Sequence, residues 1–294
     1  MDFQLQRDET VQDGIRRLAV EQIEAACGHL ENYASDPETS VHEFRKCSKR
    51  LRSLLRLIRP GAPRLARREN RRFRDLASRL GKIRDAAVAR RCLEALEKEG
   101  GKKCEAIGAR LERDRLRPEA AEGQEVVDAV LLGMREARKE VDAWEFGEEK
   151  GVRLISGGFR STMRKSRRAW RKLERTRSIE ASHELRKRLK HLWHQAEVLH
   201  NASPKWMKRL ERALDEATDA LGLAHDVAVL EERAVRGAKK KSPVAEEWRK
   251  LQPVAERRRR KLEEKALRQC RKSLSRAPAK AERQLLQDWR KWRG

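Results

Sequence analysis

Apolar residues recur every three or four positions along almost the whole 294-residue chain, with charged residues filling the intervals. The long stretches rich in Ala, Leu, Glu, Arg and Lys favour helix by propensity as well as by period, and none alternates as a strand. Proline and glycine interrupt the pattern at SDPETS (35–40), RPGAP (59–63), EGGKK (99–103), RPEAA (117–121), FGEEKG (146–151), NASPK (201–205) and KKKSP (239–243). Such clusters end helices, so the pattern predicts an all-α chain with about six helices in each half, meeting at a short turn near Gly151.

Two stretches repeat one another. VHEFRKCSKRLRSLLRLI (41–58) and SHELRKRLKHLWHQAEVL (182–199) align at an offset of 141, which sets His42 on His183, Glu43 on Glu184, Arg45 on Arg186, Lys46 on Lys187, Lys49 on Lys190 and Leu51 on Leu192. The same offset sets LGKIRDAAV (80–88) on LGLAHDVAV (221–229), matching Leu80 to Leu221, Gly81 to Gly222, Asp85 to Asp226 and Val88 to Val229. A gapless spacing over about fifty residues marks an internal duplication. The expectation is two tandem helical bundles, 1–148 and 149–294, packed about a pseudo-two-fold axis. Equivalent faces would then meet around that axis and form both walls of one groove.

Projected at 100° per residue, each repeated helix has two faces. Arg45, Lys46, Lys49, Arg52 and Arg56 fall within about 80° of His42, while Phe44, Cys47, Leu51, Leu54, Leu55 and Ile58 lie opposite. In the second copy His183, Arg186, Lys187, Lys190 and His194 share one face, and Leu185, Leu192, Ala196 and Leu199 the other. The helix that opens the second half carries an apolar stripe of Phe159, Met163, Ser166, Trp170 and Leu173, with Arg160, Arg164, Arg168 and Arg171 along another face. Its counterpart keeps Arg16 and Arg17 and then turns acidic, so an uneven basic lining is expected.

Charge makes the pattern specific. The chain holds 72 Lys and Arg against 47 Asp and Glu, a formal net charge of +25, and between 45 and 84 sixteen cations face only Glu69 and Asp75. A field of this sign points to nucleic acid, an anionic membrane surface or a small polyanion, and composition alone does not choose among them. Rows of Lys and Arg one helical turn apart, about 5–6 Å, can each meet oxygens of an extended phosphate polymer. Arg offers two parallel donors, Lys a mobile point charge, and His a donor that becomes cationic near its pKa. Such a ladder binds charge density rather than sequence, and its affinity should fall steeply with salt.

Other classes find little support. The longest apolar runs, such as AVLLGM (129–134), fall far short of the roughly 20 residues of a membrane span, and MDFQLQRDET lacks the apolar centre of a signal peptide. Five cysteines without a CxxC pair indicate neither a disulfide framework nor a zinc ribbon, which suits a cytoplasmic chain with buried thiols. There is no Walker A pattern, no HExxH and no ExExK, so no catalytic residues are expected. Glu180 with His183 and Glu197 with His200 have the spacing of helical di-iron ligands. The bridging carboxylates and a first-half match are missing, so no metal or other cofactor is expected, and a metal-dependent phosphohydrolase stays a minor alternative. Aromatics make up 4% of residues, too few to support base stacking, although a chain this basic will bind nucleic acid at low salt.

The paired histidine helices, each followed by LGxxxD (80–85 and 221–226), resemble the CHAD family of histidine-bearing α-helical domains over nearly the whole chain. The resemblance implies two four-helix-bundle-like halves with extra helices around a central basic channel that binds inorganic polyphosphate. Family members stand alone or are fused to a CYTH triphosphatase domain, and several associate with polyphosphate granules; this chain resembles a stand-alone member. Carried over by position, the contacts to polyphosphate, or to phosphate and sulfate anions, would come from His42, Arg45, Lys46, Lys49, Arg52, Arg56, His183, Arg186, Lys187, Lys190 and His194. Arg160, Arg164 and Arg168 fit the basic stretch opening the family's second repeat. Arg84 precedes the repeated Asp in the first copy, but His225 stands there in the second, a departure from the pattern. Asp85 and Asp226 would either orient a neighbouring cation or sit in the first turn of a helix. Trp193 and the terminal WRKW are expected to pack, and Arg257–Lys261 to be solvated.

Overall fold

The computed structural model describes residues 2–80, 85–115, 123–148, 151–239 and 241–294. Among these there are eleven helices and no strand: α1 Val11–Glu31, α2 Pro37–Ile58, α3 Pro63–Arg79, α4 Asp85–Gly100, α5 Glu105–Arg115, α6 Gln124–Glu140, α7 Arg153–Thr176, α8 Ile179–Val198, α9 Pro204–Val235, α10 Pro243–Leu274 and α11 Pro278–Arg293. Local chemistry sets several starts. Side chains of Thr10, Asp36, Ser178 and Ser242 accept from the amides of Asp13, Thr39, Ala181 and Ala245, each cap worth about 1 kcal/mol. Prolines stand at the first turn of α2, α3, α9, α10 and α11, where the missing N–H costs nothing.

Among the described residues the first half has six α-helices and the second has five. At the offset of 141, α9 runs unbroken through the positions matching α3 and the first part of α4, and α10 through those matching α5 and the start of α6. Pro118 and Gly123 have no counterpart in the second half, where Arg259 and Glu264 continue the helix. Asp226 lies deep inside α9, so the first-turn reading of the repeated Asp fails for the second copy; in the first copy the residues just before Asp85 lie outside those described. The break before Pro278 is absent from the sequence reading; it releases α11 to pack its own face on α7.

The two halves share their cores. The larger apolar cluster runs from Phe3 to Trp289 and joins α1, α2, α3 and α6 to α7, α8, the first part of α9, the end of α10 and α11. The smaller holds Leu93, Leu96, Ile107 and Leu111 of α4 and α5 against Val227, Leu230, Trp248 and Leu251 of α9 and α10. Across it, Glu247 accepts from the amides of Ala106 (3.1 Å) and Ile107 (3.0 Å) and so caps α5 from the other half. The apolar faces expected for α2, α7 and α8 are buried, with Trp170 and Trp193 packed against the core at its edge. Trp289 and Trp292 meet edge to face at 5.0 Å between ring centres.

Three contacts position the site. Helix α7 lies against α2 so closely that a Cβ on Gly158 would stand 1.8 Å from the Leu57 carbonyl oxygen; only glycine permits this approach. Helix α8 crosses α2 antiparallel, with Arg50 Nη2 3.3 Å from Glu197 and the Gln195 amide donating to the Ser53 carbonyl at 3.2 Å. Helix α3 folds back on α2 through the turn at Pro60. In the run 257–261, Arg257, Arg260 and Lys261 are exposed as expected, whereas Arg258 pairs with Glu99 (2.9 Å) and Arg259 with the buried Glu263 (3.1 Å), because α10 lies over α4 and α7 there. No helix of the described residues is long and apolar enough to cross a membrane.

Candidate functional site

Where α2, α3, α7 and α8 converge they leave a cavity of about 400 Å3. Arg56 and Arg59 at the end of α2 line it, with Pro60, Pro63 and Arg67 of the following turn and α3, Ser161, Thr162 and Lys165 of α7, and Arg188 and His191 of α8. It continues into a cleft of about 210 Å3 that shares Arg56, Arg59 and Arg67 and adds Asn70, Arg71 and Arg74. No carboxylate is among the described residues lining either space.

The cations crowd one another. Burial, then Arg52, Arg188 and Arg59, pull the Arg56 guanidinium down to about 10, against which only Glu184 works. Lys165 is lowered by burial and by Arg59, Arg188, Arg56 and Arg164, and Arg52 by burial and Arg74. Glu184 itself is held by Arg188 at 2.6 Å. Glu184 on Arg188 and Asp75 on Arg74 (2.8 Å) offset only part of this charge, and an anion entering the cavity would relieve the rest of the repulsion.

His191 organises this charge. Arg56 Nε donates to His191 Nε2 at 3.0 Å, so that nitrogen carries no proton. The proton sits on Nδ1, which donates to Ser53 Oγ at 2.9 Å, and the Ser53 hydroxyl in turn donates to the Lys49 carbonyl at 2.7 Å. Burial and the neighbouring Arg56, Arg52, His194 and Arg188 hold the imidazole neutral, its pKa well below the ordinary 6.5. A neutral ring that accepts from Arg56 fixes the guanidinium plane without adding a charge it could not dissipate.

The sequence-derived residues fall into groups. Arg56 lines the cavity and its cleft; Arg52 lines neither, but its Nε lies 3.4 Å from Asn70 of the cleft and its field acts on Arg56; Arg164 is exposed on α7 with its field reaching Lys165. Toward the start of α2, Arg45 donates to the Leu80 carbonyl (3.3 Å), Lys46 pairs with Glu43 (3.1 Å), His42 stands 3.8 Å from Glu43, and Lys49 is exposed. On α8 the expected face turns to α9. Arg186 donates to the Thr218 carbonyl (3.4 Å), Lys190 lies 3.7 Å from Asp215 and over the Trp193 ring at 4.1 Å, and His183 stacks on His225 at 4.7 Å. Burial, Lys187, His225 and Arg186 push His183 down to about 4; Lys187 itself is exposed. Arg168 is exposed on α7.

Two residues stand apart. Arg160 reaches away to Glu282 of α11 at 2.8 Å. His194 is buried and hydrogen-bonded to Glu197 at 2.7 Å, because the α2–α8 crossing covers its position; its place on the wheel beside His183 does not expose it. Arg84 lies outside the described residues. His191, Arg59, Arg67, Arg71, Arg74, Lys165 and Arg188 complete the site and escaped the sequence reading. The excess of cations between 45 and 84 was the available signal for those on α2 and α3. Among the described residues no cluster of three metal-ligating side chains occurs.

Fold and site together define an all-α protein with a cationic cavity at a four-helix junction. The family model for the CHAD domain matches residues 17–235, and the chain belongs to that family. No curated protein and no solved structure gives a match.

Proposed function

We propose that this protein binds inorganic polyphosphate through the cavity and the basic faces of α2 and α8, and serves polyphosphate storage or granule association in the cytoplasm. The observation that carries the reading is the carboxylate-free cavity lined by Arg56, Arg59, Arg67, Lys165 and Arg188, where burial and then Arg52, Arg188 and Arg59 depress Arg56 to about 10. The apolar faces of α2, α3, α7 and α8 hold these cations together, and a polyanion supplies counter-charge. Family membership supports the ligand class.

In this reading the halves 1–148 and 149–294 form one domain about a pseudo-two-fold axis through the α2–α8 crossing. The offset of 141 carries Arg50 onto His191 and Arg56 onto Glu197, so the Arg50–Glu197 and His191–Arg56 contacts exchange under it. The pairing of α4 with α9 and of α5 with α10 fits the same axis, whereas the packing of α2 on α7 has no comparable partner between α8 and α1. The protein acts as a binder rather than an enzyme. Nucleic acid is the competing ligand, since net charge alone gives salt-sensitive binding.

Competition at physiological salt decides between them. Long-chain polyphosphate should displace fluorescent DNA from the protein, DNA should fail to displace polyphosphate, and no orthophosphate should be released with or without divalent metal. Displacement of polyphosphate by DNA at equal phosphate concentration would favour the nucleic-acid reading, and catalytic orthophosphate release an enzyme.

A further inference from the structure

We infer that a second groove, separate from the cavity, binds single-stranded nucleic acid by stacking its bases on Trp206. The inference goes beyond the polyphosphate reading and does not depend on it.

The groove lies where the start of α9, the end of α10 and α11 meet. Two spaces of about 550 and 670 Å3 adjoin there and share Trp206, Arg209 and Arg276. The first extends past Arg212 and Lys272, the second past Lys205, Lys291 and Trp292. None of these residues lines the cavity of α2, α3, α7 and α8, and the wall formed by 269–292 lies beyond the residues matched by the family model.

Its chemistry differs from that of the cavity. No tryptophan, tyrosine or phenylalanine lines the cavity, whereas two tryptophans line the groove. Aromatic residues are only 4% of the chain, but three of its seven tryptophans, Trp206, Trp289 and Trp292, gather at this end of the molecule. Trp206 is half-buried and braced edge to face by Phe159 at 5.9 Å, and the Arg276 guanidinium lies over its ring at 5.0 Å. Arg276 is exposed and pairs with no carboxylate among the described residues, so it can swing aside for a base or cover one already stacked. Trp292 is held by Trp289 and by Arg293, which lies 5.2 Å from its ring centre and donates to the Arg7 and Glu9 carbonyls.

The groove also offers cations to a phosphate backbone. Among the described residues two acids line it, and both are engaged. Glu216 accepts from Arg212 (3.3 Å) and Gln269 (2.6 Å), and Asp288 from Ser203 (2.5 Å) and Gln284 (2.8 Å). Lys205, Arg209, Lys272, Arg276 and Lys291 outnumber them, and all five are exposed. A polymer of phosphate alone gains nothing from a tryptophan face, whereas a strand that carries bases gains a stacking contact as well as its charge contacts. A duplex keeps its bases stacked on one another, so the groove selects the single strand. Cations in both spaces suit a strand that runs on past the stacked base rather than a mononucleotide.

Fluorescence anisotropy at physiological salt can compare a labelled uridine octamer with an abasic octamer of equal charge. The proteins are the wild type, Trp206→Leu, Trp206→Phe and the double variant Arg209→Gln with Lys272→Gln, whose exposed side chains leave the core untouched; melting curves check folding. The uridine octamer should bind the wild type about tenfold more tightly than the abasic one, Trp206→Leu should remove that difference, and Trp206→Phe, which keeps a ring, should restore most of it. The double variant should weaken both octamers about tenfold, and no variant should change polyphosphate affinity more than a few-fold. Equal binding of the two octamers to the wild type would overturn the inference, and so would a preference that persists in Trp206→Leu. Displacement of the octamer by an equal concentration of uridine monophosphate would assign a mononucleotide site and overturn the strand. Equal losses of octamer and polyphosphate in the double variant would mean one shared surface and overturn the separate groove.

Discussion

His191 shows how one neutral side chain can serve a cationic site. Its Nε2 accepts from Arg56 and its Nδ1–H donates to Ser53, so the arginine is aimed without a salt bridge that would cancel its charge. His191→Ala should weaken polyphosphate binding about tenfold, the range for losing a hydrogen bond to a charged group, with little change in melting temperature. His191→Gln, whose amide can both accept and donate, should restore most of it, and titration of the two variants checks this; equal losses would mean that the ring only fills space. His183 offers a second residue-scale test. Its folded pKa of about 4 lies below the ordinary 6.5, so the unfolded chain takes up a proton first as pH falls. The stability associated with the neutral ring is complete above pH 6.5, declines as pH drops, and is fully lost below about 4. Relative to His183→Gln, the wild type should therefore lose melting temperature only over that window, and parallel curves would contradict the assignment.

Among the helices, the close approach of α7 to α2 shapes the cavity, and two adjacent glycines test it. Gly158→Ala places a methyl inside the Leu57 carbonyl and should destabilise the fold by about 2–3 kcal/mol despite the gain in helix propensity. Gly157→Ala meets only the edge of Pro60 and should be neutral or stabilising by up to about 1 kcal/mol. Denaturant melts of the pair give the comparison, and similar midpoints would mean that α7 can shift away from α2 at no cost. The helices themselves were legible because period, propensity and Pro/Gly punctuation agreed along α1, α2, α7 and α8. The fusions in α9 and α10 were less so, since a duplicated motif invites equal element counts, although the loss of Pro118 and Gly123 in the second copy was visible. Wheels drawn on single helices found Arg52 and Arg56 but could not place His194 under the crossing helix. Nor could they bring Lys165 and Arg188 to a cavity that exists only where four helices meet.

For the whole molecule, a net charge of +25 guarantees some affinity for any polyanion, so the central question is whether binding lives in the cavity or in the overall field. The uneven basic lining foreshadowed by the acidic turn after Arg17 has a structural counterpart: at the offset of 141, paired Glu21, Glu24 and Glu197 stand where the cavity has Thr162, Lys165 and Arg56. Arg59 and Arg67 are exposed at the cavity mouth and can be reversed without emptying the core, and Lys265 and Arg268 are exposed on α10 away from it. Arg59→Glu with Arg67→Glu, and Lys265→Glu with Arg268→Glu, leave identical net charge. The most direct measurement is the polyphosphate dissociation constant of these two double variants at physiological salt. The account predicts a loss of about a hundredfold for the cavity pair, two charge-assisted contacts of about 1.5–3 kcal/mol each, and only a few-fold for the α10 pair. Equal losses in the two variants would contradict it and assign the binding to the field of the whole protein.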